Sequence, residues 1–453
     1  MKKLKLNKYV MLLLFLPVIF LSCKKYLEEK SDKSLVVPAS LKDLQGVLDD
    51  NPIMNSRTTG FGEVYADDYF ITPANYNSFG DFDRKSYAWN VKQYNFPNDW
   101  ANSYLAVYNA NYCLENLPGN ERTIQNQLQW DNIKGSALFY RAYYFLSLAW
   151  DFAKAYDSST AQTDPGIVLR LTSDFNVPSV RATVKETYEQ IINDLMEANN
   201  YLPDNPVHPI RPSKAASYAA LARAYLSMRS YDSAYKYADL CLNIKSDLLD
   251  YNDPEIDPAA NVPFRAFNKE IIFYSTQSGA YSTTFPPSCS IDTVLYASYD
   301  DNDKRKTVFF RPFNGYHRFK GNYSAATNTL FSGIATDEMF LVKAECLARR
   351  GNADEAMNTL NTLLEKRWVT GTFVPFTAAT GVEALDIILQ ERRKELLMRC
   401  LRLIDIKRLN KEGRNITPVR IIEGQTYTLP PNDSRYALPL PQDIINETGM
   451  PQN

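Results

Sequence analysis

Two stretches of the chain share one design, and that design limits the fold more than any other feature. KAASYAALARAYLSMRSYDSAYKYADLCL (214–242) and DEMFLVKAECLARRGNADEAMNTLNTLLEK (337–366) each hold two helical runs around a polar turn. Ala222 and Ala234 are twelve residues apart, as are Ala344 and Ala356, with Tyr225 or Leu347 three places after the first. Helices joined by a short turn approach closely where small side chains face each other, so these alanines mark the crossings. A helical hairpin cannot bury its inner face alone, so several must stack.

The spacing resembles the tetratricopeptide helix-turn-helix repeat, without that repeat's aromatic and terminal proline. Other segments are natural neighbours in such a stack. Residues 41–50 put Leu41, Leu44, Val47 and Leu48 on one helical face. DWANSYLAVYNANYCLENL predicts a helix with Leu105, Tyr108, Tyr112 and Leu117 as its apolar line, stopped by Pro118-Gly119. A helix over 131–156 sets Ala137, Ala142 and Ala149 among large aromatics. Thr183 and Glu186 have capping-box spacing at the head of the next one. Pro203, Pro206, Pro209 and Pro212 form a stiff connector rather than an exported polyproline ligand, because helical patterns flank them. A long C-terminal helix carries Leu385, Ile388, Leu389, Leu396, Leu397, Leu401 and Ile404 as its buried stripe.

Two regions lack helical period. Residues 51–98 are rich in Asn, Asp, Tyr and Phe, and 250–335 combine a strand-like EIIFYSTQS with aromatic loops and short hairpins near 306–323. The expected fold class is mainly α: tetratricopeptide-like repeats with an irregular, loop-rich lobe and minor β.

The 453 residues suffice for a large core, and the formal net charge is −2. Setting aside the lysine-bearing first 22 residues leaves 46 basic against 52 acidic side chains, which argues against a nucleic-acid partner. The 30 Tyr, 23 Phe and 5 Trp suit wide, partly wet contact surfaces as well as a core. Only two histidines occur, His208 and His317, without a nucleophile elbow or metal-spaced partners. Beyond Cys23 the five cysteines have no close spacing, so neither a disulfide framework nor a zinc cluster is expected. Four of those five lie in helical patterns. No metal and no cofactor is expected.

At the N-terminus, Lys2, Lys3, Lys5 and Lys8 precede YVMLLLFLPVIFL, a run of signal-peptide length that is too short to span a bilayer comfortably. Ser22 then precedes Cys23, and basic start, apolar run, small residue and cysteine in that order resemble a bacterial lipoprotein signal. Residues 1–22 would be removed and Cys23 would carry fatty acid such as palmitate. The charged stretch to residue 40 would serve as a tether. More than one acyl chain makes such anchoring stable, each buried methylene contributing about 0.8 kcal/mol.

Taken with the lipoprotein cysteine, five segments resemble the SusD/RagB family of Bacteroidetes outer-membrane nutrient-binding lipoproteins. They are GSALFYRAYYFLSLAWDFAKAY, ETYEQIINDLMEANNYLP, RPSKAASYAALARAYLSMRSYDSAYKYAD, ILQERRKELLMRCLRLIDIKRLN and LPLPQDIINETGMPQN, which run nearly end to end. The resemblance implies about four tetratricopeptide-like helix pairs and a surface lipid anchor at the outer membrane. It also implies a partner, a SusC-like TonB-dependent transporter, over which the protein sits as a lid. The chain is short for such a protein, which implies trimmed ligand-facing loops. One domain over 41–453 would comprise a helical part (41–250), a ligand-facing lobe (251–335) and a second helical part (336–453).

Sugars are held by aromatic faces, with Asn, Asp and Arg bonding the hydroxyls. Residues 65–90 and 274–323 have that mixture, and the candidates are Tyr69, Asn75, Tyr76, Asp81, Arg84, Trp89, Tyr281, Tyr296 and Phe310. The expected function is non-catalytic capture of an oligosaccharide, with peptide as the alternative ligand. A glycoside hydrolase would need a carboxylate pair, for which Asp67, Asp68, Asp81 and Asp83 are available without being singled out. A pure protein-binding scaffold is the third reading. Glu391 and Glu395, one helical turn apart, are expected to brace packing against nearby arginines rather than act as acid and base. Asp300, Asp301 and Asp303 are expected to form a solvated turn rather than a calcium loop, which would need a glycine and a distal glutamate.

Overall fold

Long helices lying each against the next in chain order carry the fold. The computed structural model describes residues 39–279, 281–285 and 288–453. Over them the chain is mostly helical, 47% helix and 9% strand. The helices of eight or more residues are α1 (Leu41–Leu48), α2 (Asp99–Asn116), α3 (Gln127–Phe152), α4 (Val184–Ala198) and α5 (Lys214–Ser227), followed by α6 (Tyr231–Ile244), α7 (Thr336–Arg349), α8 (Ala353–Leu364), α9 (Gly381–Glu395) and α10 (Arg402–Asn410). Each from α2 to α8 packs on its successor, α9 packs on α7 and α8, and α1 lies across α2 and α3.

The alanine spacing has the expected consequence. Ala222, Ala234, Ala344 and Ala356 are all fully buried where α5 meets α6 and α7 meets α8. Thr183 and Glu186 close the expected capping box on α4. Along α3, Phe139, Tyr140, Tyr143 and Tyr144 are buried, and Phe273 packs edge-on against Phe139 and Tyr143 at 4.8 and 5.2 Å.

Four expectations are corrected. In α2 the buried line is Ala106, Val107, Ala110 and Cys113, whereas Leu105 and Tyr108 are exposed. Small residues let α3 approach, so α2 turns Leu105 and Tyr108 outward; Tyr108, with buried Trp100 and with Phe175, lines a groove of about 260 Å³. Residues 51–98 contain short helices, Asn51–Met54, Phe61–Tyr65, Pro73–Ser78 and Asp81–Tyr87, too brief for periodicity to register. The C-terminal stripe is two helices, not one. Between α9 and α10, Met398 and Cys400 adopt φ of 57° and 58°, a left-handed conformation that no helix continues. Cys400 therefore lies in the break, leaving three of the five described cysteines in helices.

Strands occur as isolated antiparallel pairs. β1 (Tyr69–Phe70) pairs with β5 (Ser290–Ile291), β2 (Pro165–Val168) with β3 (Arg181–Thr183), and β4 (Ile271–Phe273) with β8 (Ile334–Ala335). The hairpins are β6 (Phe310–Phe313) with β7 (Tyr316–Phe319) and β9 (Val419–Ile422) with β10 (Gln425–Thr428). β4 and the β6–β7 hairpin fall where sequence placed them. The lobe has its own aromatic core, including Tyr69, Tyr251, Phe264, Phe310 and Tyr323.

Candidate functional site

A cleft of about 620 Å³ opens at the head of α2, within the usual size range of ligand pockets. Asn98 caps that helix, its Oδ1 accepting from the Ala101 amide at 3.0 Å, and Asp99 and Asn102 follow on the first turn. Arg57 donates Nε–H to the Pro52 carbonyl at 3.1 Å and an Nη1–H to Asn102 Oδ1. Asn102 in turn donates Nδ2–H to Ser278 Oγ at 2.6 Å, and the Ser278 amide is fixed by Thr58 O at 2.7 Å. Guanidinium, amides and hydroxyl thus form one connected set on the wall. Tyr281 supplies an aromatic ring to the cleft, and Phe96, next to the lining residue Pro97, is 76% exposed.

Asp99 belongs to a buried polar layer. Asp99 Oδ2 accepts from the Gly60 and Phe61 amides at 2.7 and 2.9 Å, and Tyr281 hydrogen-bonds to the same carboxyl. Burial nevertheless pushes Asp99 up to about 7. Glu63 goes higher, to about 8, through burial and the neighbouring Asp68 charge, although the Cys400 amide donates to its Oε2 at 2.9 Å. Its other oxygen, buried, has no hydrogen-bond partner. Burial also raises Asp151 and lowers Lys407, whose Nζ donates to the Trp150 and Ala153 carbonyls. Gly60 permits this packing: a Cβ there would sit 2.4 Å from Gln277 Oε1.

Of the residues nominated from sequence, Tyr281 alone lines this cleft. Trp89 is buried, donating Nε1–H to Tyr65 O at 3.1 Å, with Arg420 over its ring. Tyr69 is buried, and its hydroxyl donates to Val64 O at 2.9 Å. Phe310 is buried in the lobe core, where Tyr76 and Tyr296 pack at its edge. Tyr296 stacks on His317 with 3.5 Å between ring centroids. Asn75 donates to Ser288 O at 2.7 Å. Asp81, exposed, pairs with Lys85 at 2.7 Å, and Arg84 is half-buried on the same short helix. The structure gathers Tyr69, Tyr76, Tyr296 and Phe310 into one lobe, but as packing. Cys23 lies outside the described residues.

Sequence reasoning passed over Arg57, Asn98, Asp99 and Asn102. A signal was present in Asn-Asp-Trp ahead of an apolar helix, the mark of an N-terminus whose polar residues face a loop.

Glu391, Glu395, Asp67 and Asp68 are all ion-paired. Glu391 and Glu395 both contact Arg305, at 2.6 and 3.0 Å; burial works to raise them, yet Arg305 and, for Glu395, Arg367 hold both below the usual range. Asp67 is chelated by Arg402 at 2.6 Å, and Asp68 is bonded to Arg393 at 2.7 Å. The 299–306 turn is only partly solvated: Asp300 and Asp301 are exposed, but Asp303 is fully buried against Arg305 at 2.7 Å.

A family model described as SusD-like, starch-binding associating with outer membrane, matches residues 25–226, and a SusD family model matches 293–453. SusD-like protein P2 of Formosa agariphila is 24% identical over 413 residues, covering 78% of this chain and 79% of that protein. A SusD superfamily protein from Bacteroides thetaiotaomicron superposes with a TM-score of 0.73 at 21% identity, covering 91% of this chain and 99% of the other. A laminarin-binding SusD-like protein gives 0.64 at 17% identity, with 91% and 97% covered. Ladder of helix pairs, lobe and family matches agree: the chain belongs to the SusD family.

Proposed function

We propose that this chain is a non-catalytic lipoprotein of the outer membrane that captures an oligosaccharide in the α2 cleft and passes it to a SusC-like TonB-dependent transporter. The observation that carries the reading is the cleft wall. Arg57, Asn102 and Ser278 form a pre-linked set of donors and acceptors beside the Tyr281 ring. Such a wall matches the alternating hydroxyls and C–H faces of a sugar. The laminarin-binding relative supports a glycan as ligand, and peptide is the competing one. No helix among the described residues is long and apolar enough to cross a membrane. In this reading, attachment rests on fatty acid at Cys23, with residues 1–22 removed.

Two measurements test this. The full chain, purified in detergent, is titrated calorimetrically with neutral oligosaccharides and with peptides; saturable glycan binding without product formation supports capture. Glycan cleavage, or binding of peptides alone, overturns it. Intact-mass spectrometry of the mature protein should find acyl chains on Cys23, and a bare thiol there removes the anchor.

A further inference from the structure

The hairpin β6–β7 turns at Asn314-Gly315, where φ is 48° and 81°, and its register sorts eight side chains onto two faces. Phe310 opposite Phe319 and Pro312 opposite His317 share one face, and the two phenylalanines are buried in the lobe core. The other face pairs Arg311 with Arg318 and Phe313 with Tyr316. Phe313 and Tyr316 are 38% and 40% exposed, so this aromatic surface is reachable from solvent. The Arg318 guanidinium lies over the Phe313 ring at 3.0 Å, and Tyr316 meets Phe70 edge-on at 5.0 Å.

Like charges directly opposite one another on neighbouring strands repel. Burial lowers Arg318, and Arg311 lowers it further; Lys320, one residue beyond β7, is likewise lowered by burial and by Arg311, against the opposing pull of Asp257. Arg311 is held by a neutral group, donating Nη1–H to Asn261 Oδ1 at 2.8 Å, and its buried Nε has no hydrogen-bond partner. An anion beside this pair would relieve the repulsion and take up donors of the Arg311 fork.

We infer that this face binds the anionic group of an acidic glycan, a uronate carboxylate or a sulfate ester, while Phe313 and Tyr316 stack on the sugar ring. The inference rests on the glycan-capture reading and narrows its substrate class. The hairpin shares no lining residue with the α2 cleft, so the two sites are separable by mutation.

Affinity electrophoresis of the full chain in detergent tests it, with polygalacturonate, dextran sulfate and neutral laminarin each cast in the gel. The expected result is retardation by at least one of the two anionic polymers, which also identifies carboxylate or sulfate as the recognised group. That retardation should weaken as salt is raised through the screening range. Arg311→Gln should lower affinity for the acidic polymer about tenfold. Phe313→Ala should lower it as well, and both should leave laminarin binding unchanged. Retardation by laminarin alone overturns the acidic-glycan inference and leaves capture standing. No retardation by any polymer, with no oligosaccharide bound in calorimetry, overturns the capture reading too. Acidic-polymer binding that survives both substitutions also overturns the inference, because it places the contact elsewhere.

Discussion

Arg367 donates Nε–H to Glu395 at 2.7 Å with both side chains fully buried. Glu395 takes Arg305 on its second oxygen, and Arg367 reaches on to Glu270, so an ionic chain fastens the lobe to the end of α9. Removing one partner of such a pair leaves a bare charge in the interior. Arg367→Ala should therefore cost about 3–5 kcal/mol in denaturant unfolding. Lys306→Ala breaks a pair with Asp301, which is 95% exposed, and a contact over the Tyr296 ring, and should change stability by no more than about 1 kcal/mol. Equal effects in the two variants would contradict the bracing role.

Stability should fall as pH rises from 5 to 7; above that the lowered Lys407, neutral in the fold but charged when unfolded, acts in the opposite direction. Glu63 and Asp99 have folded pKa values of about 8 and about 7, raised from 4.5 and 3.8, mainly by burial. A raised carboxyl contributes fully below its unfolded pKa, and that contribution is lost as pH climbs through the folded value. Each such group gives a slope of up to about 1.4 kcal/mol per pH unit in that window. Glu63→Gln should flatten the profile of melting temperature against pH, and a profile identical to the parent's would argue that Glu63 is not buried as a neutral acid.

Trp89→Ala and Tyr69→Ala should act on stability. Both side chains are buried with their polar tips bonded to backbone carbonyls, so each truncation should cost about 3–5 kcal/mol. Thermal melts beside calorimetric titration separate the two roles: weakened capture at an unchanged melting temperature would restore them as ligand residues.

In the α2 cleft the expectation reverses. Arg57→Ala and Asn102→Ala should each weaken glycan binding by about 1–2 kcal/mol, roughly tenfold, through loss of a charge-assisted or neutral hydrogen bond. Titration with the best-bound oligosaccharide reads this directly. Unchanged affinity in both variants would move the site away from α2.

At the helix crossings, Ala356→Leu should overpack the α7–α8 contact and lower stability by about 1–3 kcal/mol. A neutral result in equilibrium unfolding would show that the crossing has slack.

What was legible in the sequence follows from what is local. Periodicity and small residues at Ala222, Ala234, Ala344 and Ala356 determined the helix pairs, because a helix and its turn are specified within one short stretch of chain. The pairing of Glu391 and Glu395 with arginine was likewise foreseeable from charges crowded into an apolar stripe, although their principal partners, Arg305 and Arg367, are remote in sequence. The outward face of α2, the break at Met398 and Cys400, and the cleft itself were decided by tertiary structure. Arg57, Asn102 and Ser278 come from three distant segments, and no spacing along one chain encodes their meeting. An aromatic side chain satisfies core packing and ligand stacking with the same chemistry, so composition nominated Tyr69 and Trp89, and only burial separates the two roles.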